Sequence, residues 1–434
     1  LVHDTANRLS LETDAKSNTV AYTYDANGNL ILTRETDKSD LLNPDQLFDT
    51  ANVYDFLDRM TRVTDNLGNA SNYAYDSRGN LTRAIDPRGN TTRFAYDGLN
   101  RSLSTTRVLT DTGTGAGLEV GQILTQQTWD DSSRLTSQID DSDNTTTYVY
   151  DALNRRIRTL PADGTIHSIG YDVHDNLVTR TDANGSVVTS VYDMLNRPAG
   201  RTIAVGPGVS SDTTSESLAY DGRSLLVSAQ DNDSVVTAGY DSLGSPVQET
   251  LSIGGGPLRT TGYQYDALGR RTRLTYHAGR IMRFTYEALD RPLLIQDDPP
   301  GPGSTIATYS YLGPGRVERR DYGNGTRTDY GYDGIRRVTS TRHSLISTGI
   351  PFDQRSYLWD AAGNKTEATD ALAIPAETRT YGYDSLGRNN LVTGRSTAPG
   401  PLDDSWVTAV ERVRGVQEGL AVEEARDKLG LVGA

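Results

Sequence analysis

Trp129-Asp130, Tyr150-Asp151-Ala152-Leu153-Asn154-Arg155, Tyr171-Asp172-Val173-His174-Asp175-Asn176 and Tyr192-Asp193-Met194-Leu195-Asn196-Arg197 follow one another along the chain. The leading aromatic advances by 21 residues at each step. A fixed period of this size marks a repeat architecture, in which each unit buries its surface against its neighbours. Working back, the marker recurs at Tyr96-Asp97, Tyr75-Asp76, Tyr54-Asp55, Tyr24-Asp25 and a degenerate His3-Asp4. Working forward, it recurs at Tyr220-Asp221, Tyr240-Asp241, Tyr265-Asp266, Tyr286-Glu287, an imperfect Tyr311-Leu312, Tyr332-Asp333, Trp359-Asp360 and Tyr383-Asp384. The sequence therefore holds about sixteen copies of one unit.

Each unit reads as two strands and two turns. Aromatics two apart precede the aspartate, as at Tyr22 and Tyr24, Tyr73 and Tyr75, Phe94 and Tyr96, or Tyr263 and Tyr265. Residues two apart share one face of a strand, whereas a helix would set them about 200° apart. Four residues after the marker comes a residue that tolerates positive φ. It is Gly28, Gly79, Gly244, Gly269, Gly363 or Gly387, or Asn100, Asn154 or Asn196, or Asp58, Asp175 or Asp290. This spacing predicts a type I turn begun by the aspartate and closed by a left-handed residue in a bulge. The aspartate side chain is expected to accept hydrogen bonds from the turn amides, which is a structural role. The next residue is often arginine, including Arg59, Arg101, Arg155, Arg270, Arg337 and Arg388. The favoured reading is a weak, exposed Asp–Arg pair across the turn. A ladder of charge along one rim is the alternative.

A second turn closes each unit, with Gly68, Gly89, Gly164, Gly185, Gly279 and Gly325 each seven residues before a marker. Asn184-Gly185, Asn324-Gly325 and Asp163-Gly164 predict tight hairpins. The insertions, such as Asp37–Asn52, Thr110–Gly121 and Gly206–Glu216, fall at this second turn. Successive hairpins thus have one trimmed edge and one ragged edge. One-sided insertions mark a binding face in some repeat proteins, though tolerated surface loops are commoner.

The composition agrees with many half-buried strands: 24 Tyr and 42 Gly against 5 Phe and 3 Met. The net charge of −14 argues against nucleic acid or an anionic membrane held through a basic patch. With no cysteine there is neither a disulfide framework nor a thiolate metal site. No apolar run is long enough for a transmembrane helix. The chain begins at Leu1 without a leader, so it reads as a fragment or processed piece, with any export signal outside it.

The predicted fold is all-β: an antiparallel hairpin meander of roughly 32 strands, coiled by strand twist into a spiral or barrel-like hollow shell. A packed two-layer sandwich is the alternative. Residues 1–398 form this ribbon. From Pro401 the pattern stops, and a short helical tail is expected over 399–434, capped by Asp404 or Ser405. That tail plugs one end of the spiral, begins an unrelated variable domain, or reflects truncation.

Weaker signals carry no site. Asp25-Ala26-Asn27-Gly28-Asn29 begins like a calcium loop, but Leu30 and Thr36 break the pattern. His167 and His174 lack companion carboxylates or cysteines. Gly113-Thr114-Gly115-Ala116-Gly117 lacks the strand–glycine–helix setting of a phosphate loop. With five histidines and no nucleophile elbow there is no triad signal. The sequence therefore predicts no enzyme, no catalytic or metal-binding residue and no cofactor.

The recurring Tyr-x-Tyr-Asp-x-x-Gly-Arg core, as in Tyr263-Gln264-Tyr265-Asp266-Ala267-Leu268-Gly269-Arg270, resembles the YD-repeat, or Rhs, family over residues 3 to about 395. The repeat-defining positions are Tyr24, Asp25, Gly28, Tyr75, Asp76, Gly79, Tyr96, Asp97, Tyr150, Asp151, Tyr171, Asp172, Tyr192, Asp193, Tyr265, Asp266, Gly269, Arg270, Tyr332, Asp333, Tyr383, Asp384, Gly387 and Arg388. The resemblance implies a β-sheet spiral wound into a hollow cocoon. In insecticidal toxin complexes and bacterial competition toxins such a cocoon encloses a C-terminal toxic polypeptide. In wall-associated proteins and teneurins similar shells sit at the cell surface, some proposed to bind carbohydrate. The family's closing Asp-Pro-x-Gly is missing near the C-terminus, and the motif Asp86-Pro87-Arg88-Gly89 lies in an early turn. Neither self-cleavage nor a complete cocoon is therefore carried over. The expected function is a structural piece of a secreted bacterial shell that encloses or delivers a toxic polypeptide. Its partners would be that cargo or the rest of a larger shell. The alternative is an extracellular or cell-surface module that binds carbohydrate or a partner protein.

Overall fold

The structure, a computed structural model, describes residues 1–394 except 302, 374 and 375. The helical tail expected over 399–434 lies outside the described residues. Among the described residues there are 34 strands and no helix, and the strand pairings are antiparallel between neighbours in sequence. The strands are rich in Thr, Val and Tyr, for example Thr145–Tyr150, residues that suit a half-buried pleated surface.

Contacts divide the chain into two units. The first combines a run over Leu1–Tyr148 with the described part of a run over Met282–Arg395. The second is Val149–Ile281 within the described residues. In both, the first turn of each hairpin has the expected bulge. Tyr75 pairs with Leu81 and Ala74 with Arg83, so the register slips by one residue at the marker. In the second unit, Tyr240 pairs with Pro246 and Gly239 with Gln248 in the same way.

The second turns differ from the tight hairpins expected of them. Positive φ occurs at Gly164, Gly185 and Gly325 but not at the preceding Asp163, Asn184 and Asn324. Gly185 donates to the carbonyl of Asp182, and Asp182 to that of Ser186. The second turn is therefore another four-residue turn with a left-handed closing residue, not a two-residue loop. An aspartate three residues before the glycine can serve it as well as it serves the first turn.

Deep burial is sparse. The first unit buries Phe48, Val108, Ala307, Tyr311 and Leu312, and the second Ala229, Leu251 and Leu274. Most other strand residues are half-buried, so stability rests on the ladder and on side chains that bridge units.

The first unit is held together edge to edge. Second turns of its first run meet first turns of its second run. Lys16 lies between Asp40 (2.7 Å) and Glu287 (3.9 Å). The amide of Gly313 donates to Lys38 O (2.8 Å), and that of Asp40 to Tyr311 O (2.9 Å). Gly334 lies so close to Asn66 and Leu67 that a Cβ there would fall 2.8 Å from Leu67 Cδ2. Arg88 donates to Tyr383 O (3.1 Å) and Asp384 O (3.2 Å) and lies 3.4 Å from the Asp360 carboxylate. The amide of Thr110 donates to Ser385 Oγ (2.9 Å). Apart from Lys16 with Asp40, each contact joins hairpins twelve markers apart, with Arg88 reaching one further. In this run the ragged edge is thus a docking edge.

Candidate functional site

The marker turn is built alike wherever the marker aspartate is present. Asp25 Oδ1 accepts the amides of Asn27 and Asn29, both at 2.9 Å, and Gly28 closes the turn at φ 95°. Asp76, Asp97, Asp151, Asp172, Asp193, Asp266, Asp333 and Asp384 accept the amides two and four residues on in the same way. The twelve Gly, Asn and Asp residues expected at positive φ all adopt it, Gly79 (88°), Gly269 (78°) and Gly387 (74°) among them. Hydrogen bonds to the ionised form hold the carboxyls of Asp25, Asp76 and Asp193 below the usual range. The largest cause is the side chain of Asn29 for Asp25, of Asn80 for Asp76 and of Arg197 for Asp193.

The arginine after the turn does more than the exposed pair expected of it. Arg59 Nε donates to Asp55 Oδ2 (2.8 Å), its Nη1 donates to Asp76 O of the next repeat (2.7 Å), and its guanidinium lies 4.9 Å from the Tyr75 ring centroid. Arg8, Arg101 and Arg337 repeat this bridge to the next marker in the first unit, and Arg155 does so in the second. Arg270 and Arg388 hold Asp266 and Asp384, each at 2.7 Å. A fork that also stacks on a ring holds geometry better than a lone surface pair.

The marker hydroxyl reaches back the other way. Tyr24 donates to Leu9 O, Tyr75 to Met60 O, Tyr192 to Leu177 O and Tyr383 to Lys365 O, each at 2.9 Å. Tyr171 reaches Arg156 O (3.3 Å) and Tyr332 reaches Val317 O (2.7 Å), while Trp129 and Trp359 use their indole N–H on Ser102 O and Val338 O. Tyr96 and Tyr265 take the same bulge position opposite Ser102 and Arg271, and Tyr150 ends its strand. Aromatic, aspartate and arginine thus form a two-way clamp between successive hairpins. Where Asn replaces Arg, its amide keeps the aspartate and reaches the left-handed residue of the next repeat, as Asn80 reaches Asn100 (2.9 Å).

At the docked edges of the first unit lies a charged cluster. Asp37, only 1% exposed, accepts Arg316 Nη2 (2.7 Å) and Arg336 Nε (3.2 Å). Arg336 also forks onto Glu35 (2.8 and 3.1 Å), and Arg316 reaches Gln46 (3.0 Å). The Phe48 ring lies between the two guanidiniums, at 5.0 and 4.1 Å. Burial pulls Arg316 below its usual range against the opposing pull of Asp37. Nearby, Glu318 accepts Ser39 Oγ (2.6 Å) and Asn43 Nδ2 (2.5 Å).

Two further features bear on chemistry. A cavity of about 490 Å³ opens beside the Arg88 contact, lined by Tyr73, Asp86, Asn90, Arg107, Asn364 and Ser385 among others. Thr328, His343 and Asp353 stand in register on three strands, with Thr328 Oγ1 2.8 Å from His343 Nδ1 and His343 Nε2 3.6 Å from Asp353. Thr328 is 0% exposed, so its hydroxyl is a packing partner and not a reachable nucleophile.

Comparison with known families places these turns. The RHS Repeat family matches residues 3–40, 54–91 and 75–114, and the Teneurin YD-shell family matches residues 123–297. The chain belongs to the YD-repeat, or Rhs, family. Similar solved structures include the crystal structure of TcdB2-TccC3-TEV, at 16% identity and TM-score 0.62, covering 87% of this chain and 24% of that one. A Photorhabdus luminescens Tc holotoxin pore with a mutated TccC3 is 16% identical with TM-score 0.64, over 88% of this chain and 24% of that one. The crystal structure of TcdB2-TccC3 is 15% identical with TM-score 0.59, over 89% and 29%. This chain spans about a quarter of the length of those structures, and the likeness is one of fold. No curated protein matches the chain.

Sequence reasoning missed the clamp between YD repeats and the docked edges. The clamp left a trace, since Arg8, Arg59 and Arg155 each stand a fixed distance before the next marker aromatic. The docked edges left a fainter one. Arg336 occupies the left-handed position (φ 70°) that other YD repeats give to Gly, Asn, Asp or Ser. Side chains there are costly, so the outlier points to a contact that repays the strain.

Proposed function

We propose that this chain is a wall segment of a secreted YD-repeat shell that encloses or delivers a polypeptide, and that it works without catalysis. The supporting observation is the edge-to-edge docking in the first unit, where consecutive second turns meet consecutive first turns at a constant step. A ribbon that stacks on itself in register makes wall, which supports the curled form expected of many twisted strands. Similarity to a Tc holotoxin pore supports the same reading. Small-angle scattering on the full chain tests it: a pair-distance distribution with the depleted centre of a hollow body is expected, and a solid or extended profile overturns it.

A second reading, an extracellular module holding carbohydrate or a partner protein, is favoured by the cavity beside Arg88. Its lining offers an aromatic ring, a guanidinium and several amide and hydroxyl groups, the mix that binds polar ligands. A glycan array in which Tyr73→Ala and Arg107→Ala abolish a wild-type signal would support it, and an array without signal removes it.

A further inference from the structure

The cavity beside Arg88 is built on four successive strands of the first unit, Ala70–Tyr75, Leu81–Ile85, Thr91–Tyr96 and Ser102–Thr110. Tyr73 pairs with Ala84, Ala84 with Thr92 and Thr92 with Arg107, so these four residues stand in one row across the sheet. Residues directly opposite in a ladder share a face. The ends of the row are three strand spacings apart, about 14 Å. Small side chains, Ala84 and Thr92, floor the hollow between a phenol ring at one end and a guanidinium at the other. First turns of the second run wall it, with Asn364, Ser385 and Leu386 in the lining.

Donors and acceptors in this lining are unequal. Asp86 is its one carboxylate. Asp86 Oδ1 accepts the amides of Arg88 and Asn90, and Oδ2 accepts Asn90 Nδ2. Arg88 is taken up by Tyr383 O, Asp384 O and Asp360. Ser385 Oγ accepts the Thr110 amide. The side chains of Ser71, Tyr73, Thr92 and Arg107, by contrast, have no hydrogen-bond or ion-pair partner among the described residues. All four can donate, and Arg107 carries a full positive charge. Arg34, Arg319 and Arg327, on other strands of the unit, each meet a carboxylate directly across the ladder, Asp49, Asp329 and Asp321. Arg107 meets Thr92 on one side and Ile123 on the other, and neither neutralises it.

We infer that the cavity holds a small organic oxyanion, a carboxylate or a phosphate ester, with the anion on the Arg107 fork and its apolar part against Tyr73 and Leu386. A guanidinium takes either anion through two parallel hydrogen bonds. The free hydroxyls of Ser71, Tyr73 and Thr92 donate to the same ligand. A volume of about 490 Å³ suits such a molecule. The lining comes from both runs, so the ligand also ties the docked edges together. The inference rests on the reading of the cavity as a ligand site and goes beyond it in fixing the ligand's charge and size.

Titration calorimetry of the full chain at low ionic strength tests this, with benzoate, phenyl phosphate and the uncharged benzyl alcohol as probes. Benzoate or phenyl phosphate should bind at one site per chain, and which of them binds tells a carboxylate ligand from a phosphate ester. Arg107→Gln should weaken that binding roughly tenfold or more, with Arg107→Lys, which keeps the charge and loses the fork, in between. The side chain is exposed, so both variants should keep the wild-type circular dichroism spectrum. Arg93→Gln removes an exposed arginine of the neighbouring strand on the opposite face and should change nothing. The bound anion should also raise the urea midpoint of the wild type and leave that of Arg107→Gln unmoved. Binding of neither anion overturns the inference, as does equally tight binding of benzyl alcohol or an equal loss in Arg93→Gln. In that event a glycan-array signal from neutral sugars that Tyr73→Ala abolishes keeps the cavity as a ligand site, and an array without signal removes both readings.

Discussion

Arg336 grips Asp37 across 299 residues of chain, with Nε 3.2 Å from Oδ2, while its own backbone sits in the left-handed region at φ 70°. A strained arginine and a carboxylate 1% exposed hold each other at the edge where two runs of hairpins dock. Arg316 completes the group at 2.7 Å. Removing one member of a buried ionic group leaves the others desolvated and unpaired, which costs far more than a surface pair contributes. Asp37→Ala should therefore lower stability by about 3 kcal/mol, read as a shifted urea midpoint. Asp49→Ala, which breaks the more exposed pair with Arg34, should shift it little.

The clamp between repeats makes a local prediction. Tyr75 donates to Met60 O at 2.9 Å, so Tyr75→Phe should cost about 1 kcal/mol. Arg59→Lys keeps the charge but loses the fork onto Asp55 and the stacking on Tyr75, and should cost more than Tyr75→Phe. Hydrogen exchange should localise both effects to the amides of the two hairpins that Arg59 joins, with distant hairpins unchanged.

Acid should loosen the turns together. Asp25, Asp76, Asp97, Asp193 and Asp266 all have folded values below their ordinary one. A depressed folded value means stability that is fully present above the unfolded value of about 4 and lost as pH falls through the lower folded one. The urea midpoint should be flat from neutral pH to about 5 and then drop. Asp266→Asn should lower the midpoint at neutral pH and flatten the acid limb.

Alkali acts through a different group. Burial pushes the Tyr311 phenol up to about 12, with Arg291 beside it pulling the other way. The folded value lies above the unfolded one, so this stability is present below about pH 10 and lost as pH rises through about 12. Absorbance at 295 nm (a phenolate signal) should show a late step near pH 12 coincident with unfolding, and Tyr311→Phe should remove it.

The repeat was legible because its parts are local. An aspartate, a residue tolerant of positive φ four places after the marker and aromatics two apart define a turn and a strand face within about ten residues. The second turns were misread because Asn-Gly at Asn184-Gly185 speaks for a two-residue loop, while Asp182, two residues earlier, captures the turn for its own side chain and carbonyl. The arginines were undervalued because their partners, such as Asp76 O for Arg59, lie in the next repeat. The docked edges were illegible apart from Arg336, because contacts such as Ser39 with Glu318 join residues 279 apart and leave no short-range pattern.

Two glycines separate backbone strain from edge packing. Gly269 has φ 78° and open space where a Cβ would go. Gly269→Ala should therefore cost only the left-handed penalty, about 1 kcal/mol. Gly313 has φ 63°, and a Cβ there would fall 2.3 Å from the carboxyl carbon and Oδ2 of Asp37. Gly313→Ala carries the same backbone penalty and in addition forces Asp37 away from Arg316 and Arg336. It should destabilise the protein by more than Gly269→Ala, and the excess should largely vanish in an Asp37→Ala background, where the carboxylate is already gone. A thermal or urea double-mutant cycle measures that coupling. Additive costs would mean that Asp37 does not hold the two runs together at Gly313.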